Sequence, residues 1–494
     1  MHAAPELEAD SRFTIDALTG RVAGLLPGLR NVIAWAALIF AGVFTGGAVV
    51  VLGLPSMTAL AVMLAFGFAL GLVIGFRDLP LVGLIVSIPL PIGMALTARP
   101  GYIGSADGIS IALIDCWMAW LLVQHVCLRR SGQVKAIRHF GVLCLPVAVL
   151  LFADVLSFSR SVDLELSLAG LLSDVRVAFL FGVLAVALAQ DADAMRAGLT
   201  GVLWAVLGIG ALCVIEAAVR VNVQPDPQDA WMEAYAFRAG GFNVATNTAG
   251  YLAVLLPLVL AEAVRADSPS RRCLAGLAFA IGLAGLACTL TRSAIGFLVL
   301  GSLPLVLYLF RNRLLRIRHF LFVVATVGVL VVSLGDRISS RIDEGPENAV
   351  ARYGLTATAL NMAWNSPLTG QGVNTYGLKM REFEEKHPLT SFKYLVHNKY
   401  LLTLAETGGL GLLAFVWSMA IVLTRSLACA RRSLLGIGLL GSMIVALLHM
   451  IMESYAGNFT LWNVWTIAAF VAAMSGSTED LAPDRPFAGR ETIR

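Results

Sequence analysis

Three arginines and one histidine stand where polar segments meet long apolar runs, and their types suit work on a phosphorylated substrate. Arg238 precedes a Gly-Gly turn in "FRAGGFNVATNTAGYLAVLLP", where Asn243 and Asn247 lead into an apolar run. Arg292 sits in "LACTLTRSAIGFLVL" between two apolar runs with hardly any loop, and Arg352 opens the helical pattern "RYGLTATALNMAWNSP". His397 closes the longest polar segment and begins "HNKYLLTLAETGGLGLLAF". A guanidinium never deprotonates and grips phosphate oxygens through two parallel hydrogen bonds. A neutral imidazole, with an ordinary pKa of about 6.5, is suited to take a proton from a sugar hydroxyl. Each residue also has a plainer reading. Arg238 and Arg352 fit as loop cations, Arg292 as a side chain reaching the headgroups or pairing with a buried acid, and His397 as a ring bonded to a carbonyl at a helix start. An arginine left at bilayer depth costs roughly 2.5–3.5 kcal/mol. Three on one face beside a lone histidine suggest an anionic, lipid-linked diphosphate. Metal ligation is not indicated, because the polar segment offers only His387 besides and no cysteine. The acids of "RIDEGPE" and "REFEEKHP" read as a solvated surface.

The elements that must position these residues are membrane helices. The chain has 494 residues, 58% of them apolar and only 14% charged, with a mean hydropathy of +0.80. It cannot cover a water-soluble surface with polar groups. A net charge of +4 with no basic block interleaved with aromatics excludes nucleic acid as a partner. The seven cysteines lie in apolar runs or beside Arg-rich loops, so no disulfide framework or cysteine-based zinc site is expected. The first ~30 residues are polar and lack the pattern of a cleavable signal peptide. Apolar runs long enough to span begin near Val32, Met57, Leu79, Ile109, Phe140, Leu168, Gly198, Thr248, Cys273, Ala294, Phe320, Tyr400, Leu434 and Leu461, which gives about 12–14 spans. Pro89 and Pro91 make the run from Leu79 kinked or re-entrant.

The loops "CLRRSGQVKAIRH", "RADSPSRR", "RNRLLRIRH" and "TRSLACARRS" are short and Arg-rich, which assigns them to the cytoplasm. Loops 219–246 and 336–398 then face the periplasmic side. The second is long enough to be functional. Its pattern puts Tyr353, Leu360 and Trp364 on one helical face, ended by Asn365-Ser366-Pro367 and followed by the glycine-rich turn "LTGQGVNTYG". The expected organisation is a cytoplasmic segment 1–30, N-terminal transmembrane helices 31–218, a catalytic region 219–475 with the loop 336–398, and a cytoplasmic tail 476–494. The fold class is an all-α polytopic membrane protein with a large structured periplasmic loop. Buried acids at Asp115, Asp154, Asp174, Glu216 and Glu262 admit proton-coupled transport or internal pairs such as Asp174–Arg176 or Asp154–Arg176. They show no repeated pattern between halves of the kind transporters carry.

Four segments in order, "RAGGFNVATNTAGYLAVLLP", "LTRSAIGFLVL", "RYGLTATALNMAWNSPLTGQGVNTY" and "HNKYLLTLAETGGLGLLAF", give the chain a resemblance across about residues 235–420. It resembles the O-antigen ligase and O-antigen polymerase superfamily of bacterial membrane glycosyltransferases. The resemblance implies a GT-C-like helical fold in the inner membrane with its active site facing the periplasm. It also implies an undecaprenyl-diphosphate-linked glycan as donor, and inverting transfer without a metal or other cofactor. Arg292 and Arg352 would bind the diphosphate, and His397 would be the base on the acceptor hydroxyl. Arg238 and Asn247 match a further family segment, and Glu406 in "ETGGLG" reads as structural. The acceptor would be lipid A-core in a ligase or another lipid-linked glycan in a polymerase, with a flippase and a chain-length regulator as partners. Protein O-oligosaccharyl transfer is a third acceptor choice. A polysaccharide or lipid-linked glycan exporter is the alternative from a different class.

Overall fold

The computed structural model describes residues 78–130, 137, 140–222, 237–312, 345–384, 395–455 and 459–476, apart from positions 91, 98, 100, 101, 103 and 105. Several expectations fall outside these residues: segment 1–30, the runs from Val32, Met57 and Phe320, parts of both long loops, and the tail after Gly476. Of the described residues, all but Asp78, Leu79 and Ile92–Met94 belong to one compact unit.

The described architecture is helical. Helix α1 (Leu79–Ser87) stops before Pro89 and Pro91 and is too short to span, as those prolines predict. Helix α2 (Leu113–Arg130) is followed by α3 (Phe140–Ser157), α4 (Leu164–Leu188), α5 (Ala192–Val219), α6 (Ala245–Arg265), α7 (Pro269–Cys288) and α8 (Arg292–Arg311). The long polar segment contributes α9 (Gly345–Asn365) and α10 (Tyr376–Phe383). Then come α11 (Lys399–Ala430), α12 (Leu434–His449) and α13 (Phe459–Gly476). Eight of these, α3 to α8, α11 and α13, are long and apolar enough to cross a membrane, and α12 is a shorter apolar helix. The chain is an all-α polytopic membrane protein.

Polar residues at the turns start these helices by accepting the free N–H groups of the first turn. Asp163 caps α4 through Leu166 N at 3.1 Å, Asp191 caps α5 through Ala194 N at 2.8 Å, and Ser433 caps α12 through Gly436 N at 3.0 Å. Helices α6 and α13 are buried along most of their length and form the centre. In an apolar solvent helices associate by close packing. Gly210 of α5 meets Gly282 and Gly285 of α7, and Gly301 of α8 meets the Gly441 carbonyl of α12. At one end of the bundle Ala261, Leu305, Leu309, Leu434 and Ile437 pack together. That end carries the Arg-rich turns after α6 and α11; the opposite end carries the starts of α6, α8 and α11.

Helix α11 is not continuous. Gly408 has φ 71° and ψ −169°, a conformation open essentially to glycine alone. The turn 367–374 packs into the break. Gln371 N–H donates to the Ala405 carbonyl (2.9 Å), Gly372 N–H to Glu406 (3.0 Å), and Gly409 N–H to Pro367 (2.7 Å). Backbone freed by the break is thus satisfied inside the protein, as an apolar environment demands. The expected surface loop is in part a plug: Val373 N–H donates to Ser157 Oγ (2.8 Å), and Asn374 Nδ2 to the carbonyls of Ala106 (2.7 Å) and Leu166 (2.9 Å).

A methyl group on Gly408 would lie 2.3 Å from the Leu368 carbonyl carbon, a backbone atom that cannot step aside. Gly408→Ala therefore combines this clash with an unfavourable dihedral, for a destabilisation of about 1–3 kcal/mol or more. Thermal unfolding of the purified protein checks it, with Gly276→Ala as control because nothing lies within 4 Å of its added methyl. An unchanged Tm for Gly408→Ala would contradict the account.

The structure adds to one expectation and corrects another. Tyr353, Leu360 and Trp364 share a face of α9, but they are exposed, Trp364 at 89%, while Leu355, Ala359 and Met362 pack inward. Their apolar stripe is compatible with lipid, which makes an outward face inexpensive. Arg176 pairs with neither Asp154 nor Asp174. It reaches Asp115, with Nε 2.9 Å from the carboxylate.

Candidate functional site

The segment around His397 assembles from the helix starts. Asn398 is the N-cap of α11, its Oδ1 accepting Leu401 N–H at 3.1 Å. Lys399 N–H donates to the carbonyls of Met450 (2.8 Å) and Glu453 (3.1 Å), and Tyr400 Oη donates to Leu447 (3.2 Å). The turn after α12 is thereby fixed against the start of α11. His397 is held between the two, its Nδ1 3.6 Å from Glu453 Oε1 and its side chain 32% exposed. Burial works against ionisation of Glu453, but His397 and His449 together with Ser454 N–H outweigh it and hold the carboxyl below its usual range. The carboxylate lies on the Nδ1 side of the ring, which leaves Nε2 for a substrate proton.

The same turn reaches Arg352 and, through His449, helix α8. Arg352 is exposed and its Nη1 lies 3.9 Å from Met452 Sδ, next to Glu453. His449 ends α12, stacks edge-on with Tyr455 (5.6 Å) and Phe297 (6.2 Å), and packs against Gly250. Phe297 is five residues beyond Arg292, about 7.5 Å along α8. Arg292 is exposed at the helix start and makes no ion pair or side-chain hydrogen bond among the described residues. Arg238 lies beside it: Nε donates to the Thr289 carbonyl and Nη2 to Thr291 Oγ1, both at 3.0 Å. Much of its fork is engaged in building the platform from which Arg292 projects. Glu216 secures that platform by accepting the N–H groups of Gly240 (3.0 Å) and Gly241 (2.7 Å). Asn247 donates to Asn243 Oδ1 at 3.0 Å, one turn from Gly250.

The structure therefore places Arg238 beside Arg292 at the start of α8, and Arg352 and His397 at the turn 449–455, which touches α8 through Phe297. One residue beside the site had no sequence signal strong enough to find it. Glu453 is one acid in a short turn, and only folding brings it to His397. Glu406, read as structural, accepts Tyr376 N–H at 3.2 Å through its side chain while its carbonyl takes the plug. Among the described residues no group of His, Cys, Asp and Glu is arranged to hold a metal ion.

The apolar helices and the polar groups gathered at one end of their bundle define a multi-pass membrane protein with a site at a helix end. Residues 277–416 are similar to the family model described as O-antigen ligase. The match supports a ligase- or polymerase-type activity. It includes Arg292, Arg352, His397, the plug and Glu406, whereas Arg238, Asn247 and Glu453 lie outside it. No curated protein matches the chain.

Proposed function

We propose that the protein transfers a glycan from an undecaprenyl-diphosphate donor to an acceptor hydroxyl, as an O-antigen ligase or an O-antigen or exopolysaccharide polymerase, on the periplasmic face of the inner membrane. The observation that carries this is the meeting at the 449–455 turn of His397, with its Glu453 carboxylate, and Arg352 of α9, while α8 touches the same turn through Phe297 and carries Arg292 exposed at its start. Arg292 and Arg352 bind the diphosphate and stabilise the charge that grows as the sugar C1–O bond breaks. Arg238 orients Arg292, and Asn247 lines the same helix end. His397 Nε2 takes the acceptor proton while the oxygen attacks C1 from the face opposite the diphosphate, so the anomeric centre inverts. The diphosphate leaves with the bonding electrons, and no metal is required by this scheme. Lipid A-core serves as acceptor in a ligase and another lipid-linked glycan in a polymerase.

Orientation is testable directly. The Arg-rich turns lie at the end opposite His397, which under the charge bias supports an outward-facing site. Reporters fused at Glu384 should signal the periplasm and those at Arg271 the cytoplasm; a cytoplasmic signal at Glu384 would overturn the assignment. The reaction itself is tested with purified protein, lipid-diphosphate glycan and acceptor. A new glycosidic bond is expected. Movement of glycan across vesicles without one would favour the exporter.

A further inference from the structure

Of the acids Asp115, Asp154, Asp174, Glu216 and Glu262, the structure accounts for three. Asp115 pairs with Arg176, Glu216 takes the N–H groups of Gly240 and Gly241, and Glu262 pairs with Arg265 and Arg271. Asp154 of α3 is different. It is 1% exposed, and neither carboxylate oxygen meets a hydrogen-bond donor among the described residues. The group facing it is a second carboxyl, Asp174 of α4.

Both acids line a cavity bounded by α3, α4, α11, α13 and Val373 of the plug, with ≈ 570 Å³ of unfilled space including its mouth. Lys399 and Glu406 of α11 are the other charged groups lining it; α13 contributes only Leu461 and Trp465. The hydroxyls of Thr403 and Thr407 donate to the carbonyls of Lys399 (2.9 Å) and Thr403 (2.8 Å), so they offer the cavity only lone pairs. Three carboxyls face one ammonium, in surroundings where an unpaired charge is costly. The deficit is positive charge. It lies beside the break in α11, and interrupted membrane helices commonly frame ion sites.

We propose that this cavity binds one small monovalent cation between Asp154 and Asp174, either a proton shared by the two carboxyls or a sodium ion. The site ties α3 and α4 to the first half of α11, the segment that begins next to His397. Two carboxyls with hydroxyl oxygens suit a single exchangeable charge rather than a chelated divalent metal, for which the described residues offer no cluster. The site is separate from the proposed transfer chemistry, and each can fail without the other.

The test uses the purified full chain in detergent. Thermal unfolding is compared in sodium chloride and choline chloride at equal ionic strength, and infrared spectra are recorded at neutral pH in the sodium-free buffer. A Tm that rises and saturates with Na⁺, and does so less in Asp154→Asn, identifies sodium as the ligand. A protonated-carboxyl band without sodium dependence, lost in Asp154→Asn or Asp174→Asn, identifies the proton. Should both variants fail to fold, Glu406→Gln provides the discrimination, because the wild-type band must survive in it. Absence of both signals in the wild type overturns the proposal. So does a band that persists in both aspartate variants or disappears in Glu406→Gln.

Discussion

His397→Ala is expected to lower the rate of glycan transfer by about 10²–10⁴ in the purified system, the usual range for loss of a general base. Membrane levels should stay near wild type, because Asn398, not His397, caps α11, whereas Tm should fall modestly, because the buried Glu453 carboxylate loses the neighbour that most favours its charge. A variant that retains near-wild-type transfer would reduce this histidine to a helix anchor. Glu453→Gln should act in the same direction with a smaller loss, since it leaves the ring but removes its carboxylate. The pair also carries a pH signature. Glu453 is held below its ordinary value in the folded state, so its contribution to stability is complete above the unfolded glutamate pKa. That contribution is lost as pH falls through the lowered folded value. Acid unfolding of Glu453→Gln should therefore lack this component.

Arg292→Lys and Arg352→Lys should each lower transfer by about 10²–10³, although the charge is kept. A lysine ammonium is a point donor and cannot span two phosphate oxygens as the guanidinium fork does. Both arginines are exposed, so their variants should fold normally, and the loss should appear in transfer alone. Arg238→Lys should differ by lowering Tm as well, because its Nε and Nη2 hold the turn at Thr289 and Thr291. Near-wild-type transfer by both exposed-arginine variants would remove the diphosphate from the proposed site.

The membrane helices were legible in the sequence because lipid imposes one condition on every spanning segment, about 20 apolar residues with their backbone satisfied internally. The runs from Phe140, Leu168, Gly198, Thr248, Cys273, Ala294, Tyr400 and Leu461 all belong to helices long enough to span. Asn365-Ser366-Pro367 marked the end of α9, since proline disfavours the helical conformation of the residue before it. The candidate residues were legible for a related reason: a charge at the edge of an apolar run is costly unless something there uses it.

Tertiary structure decided the pairings. Glu453 lies 56 positions from His397 in the chain, and no local pattern joins a turn acid to a distant histidine. The break at Gly408 could not be read from "ETGGLG", because a helix that gives up its own hydrogen bonds needs replacements. Those come from residues 367–372, folded in from the polar segment. The partners of the buried acids were likewise open. Arg176 stands two residues from Asp174 but reaches Asp115 instead, since neighbours two apart on a helix point away from each other. That geometry leaves Asp154 and Asp174 facing one another, a juxtaposition made by packing α3 against α4 and invisible in either helix alone.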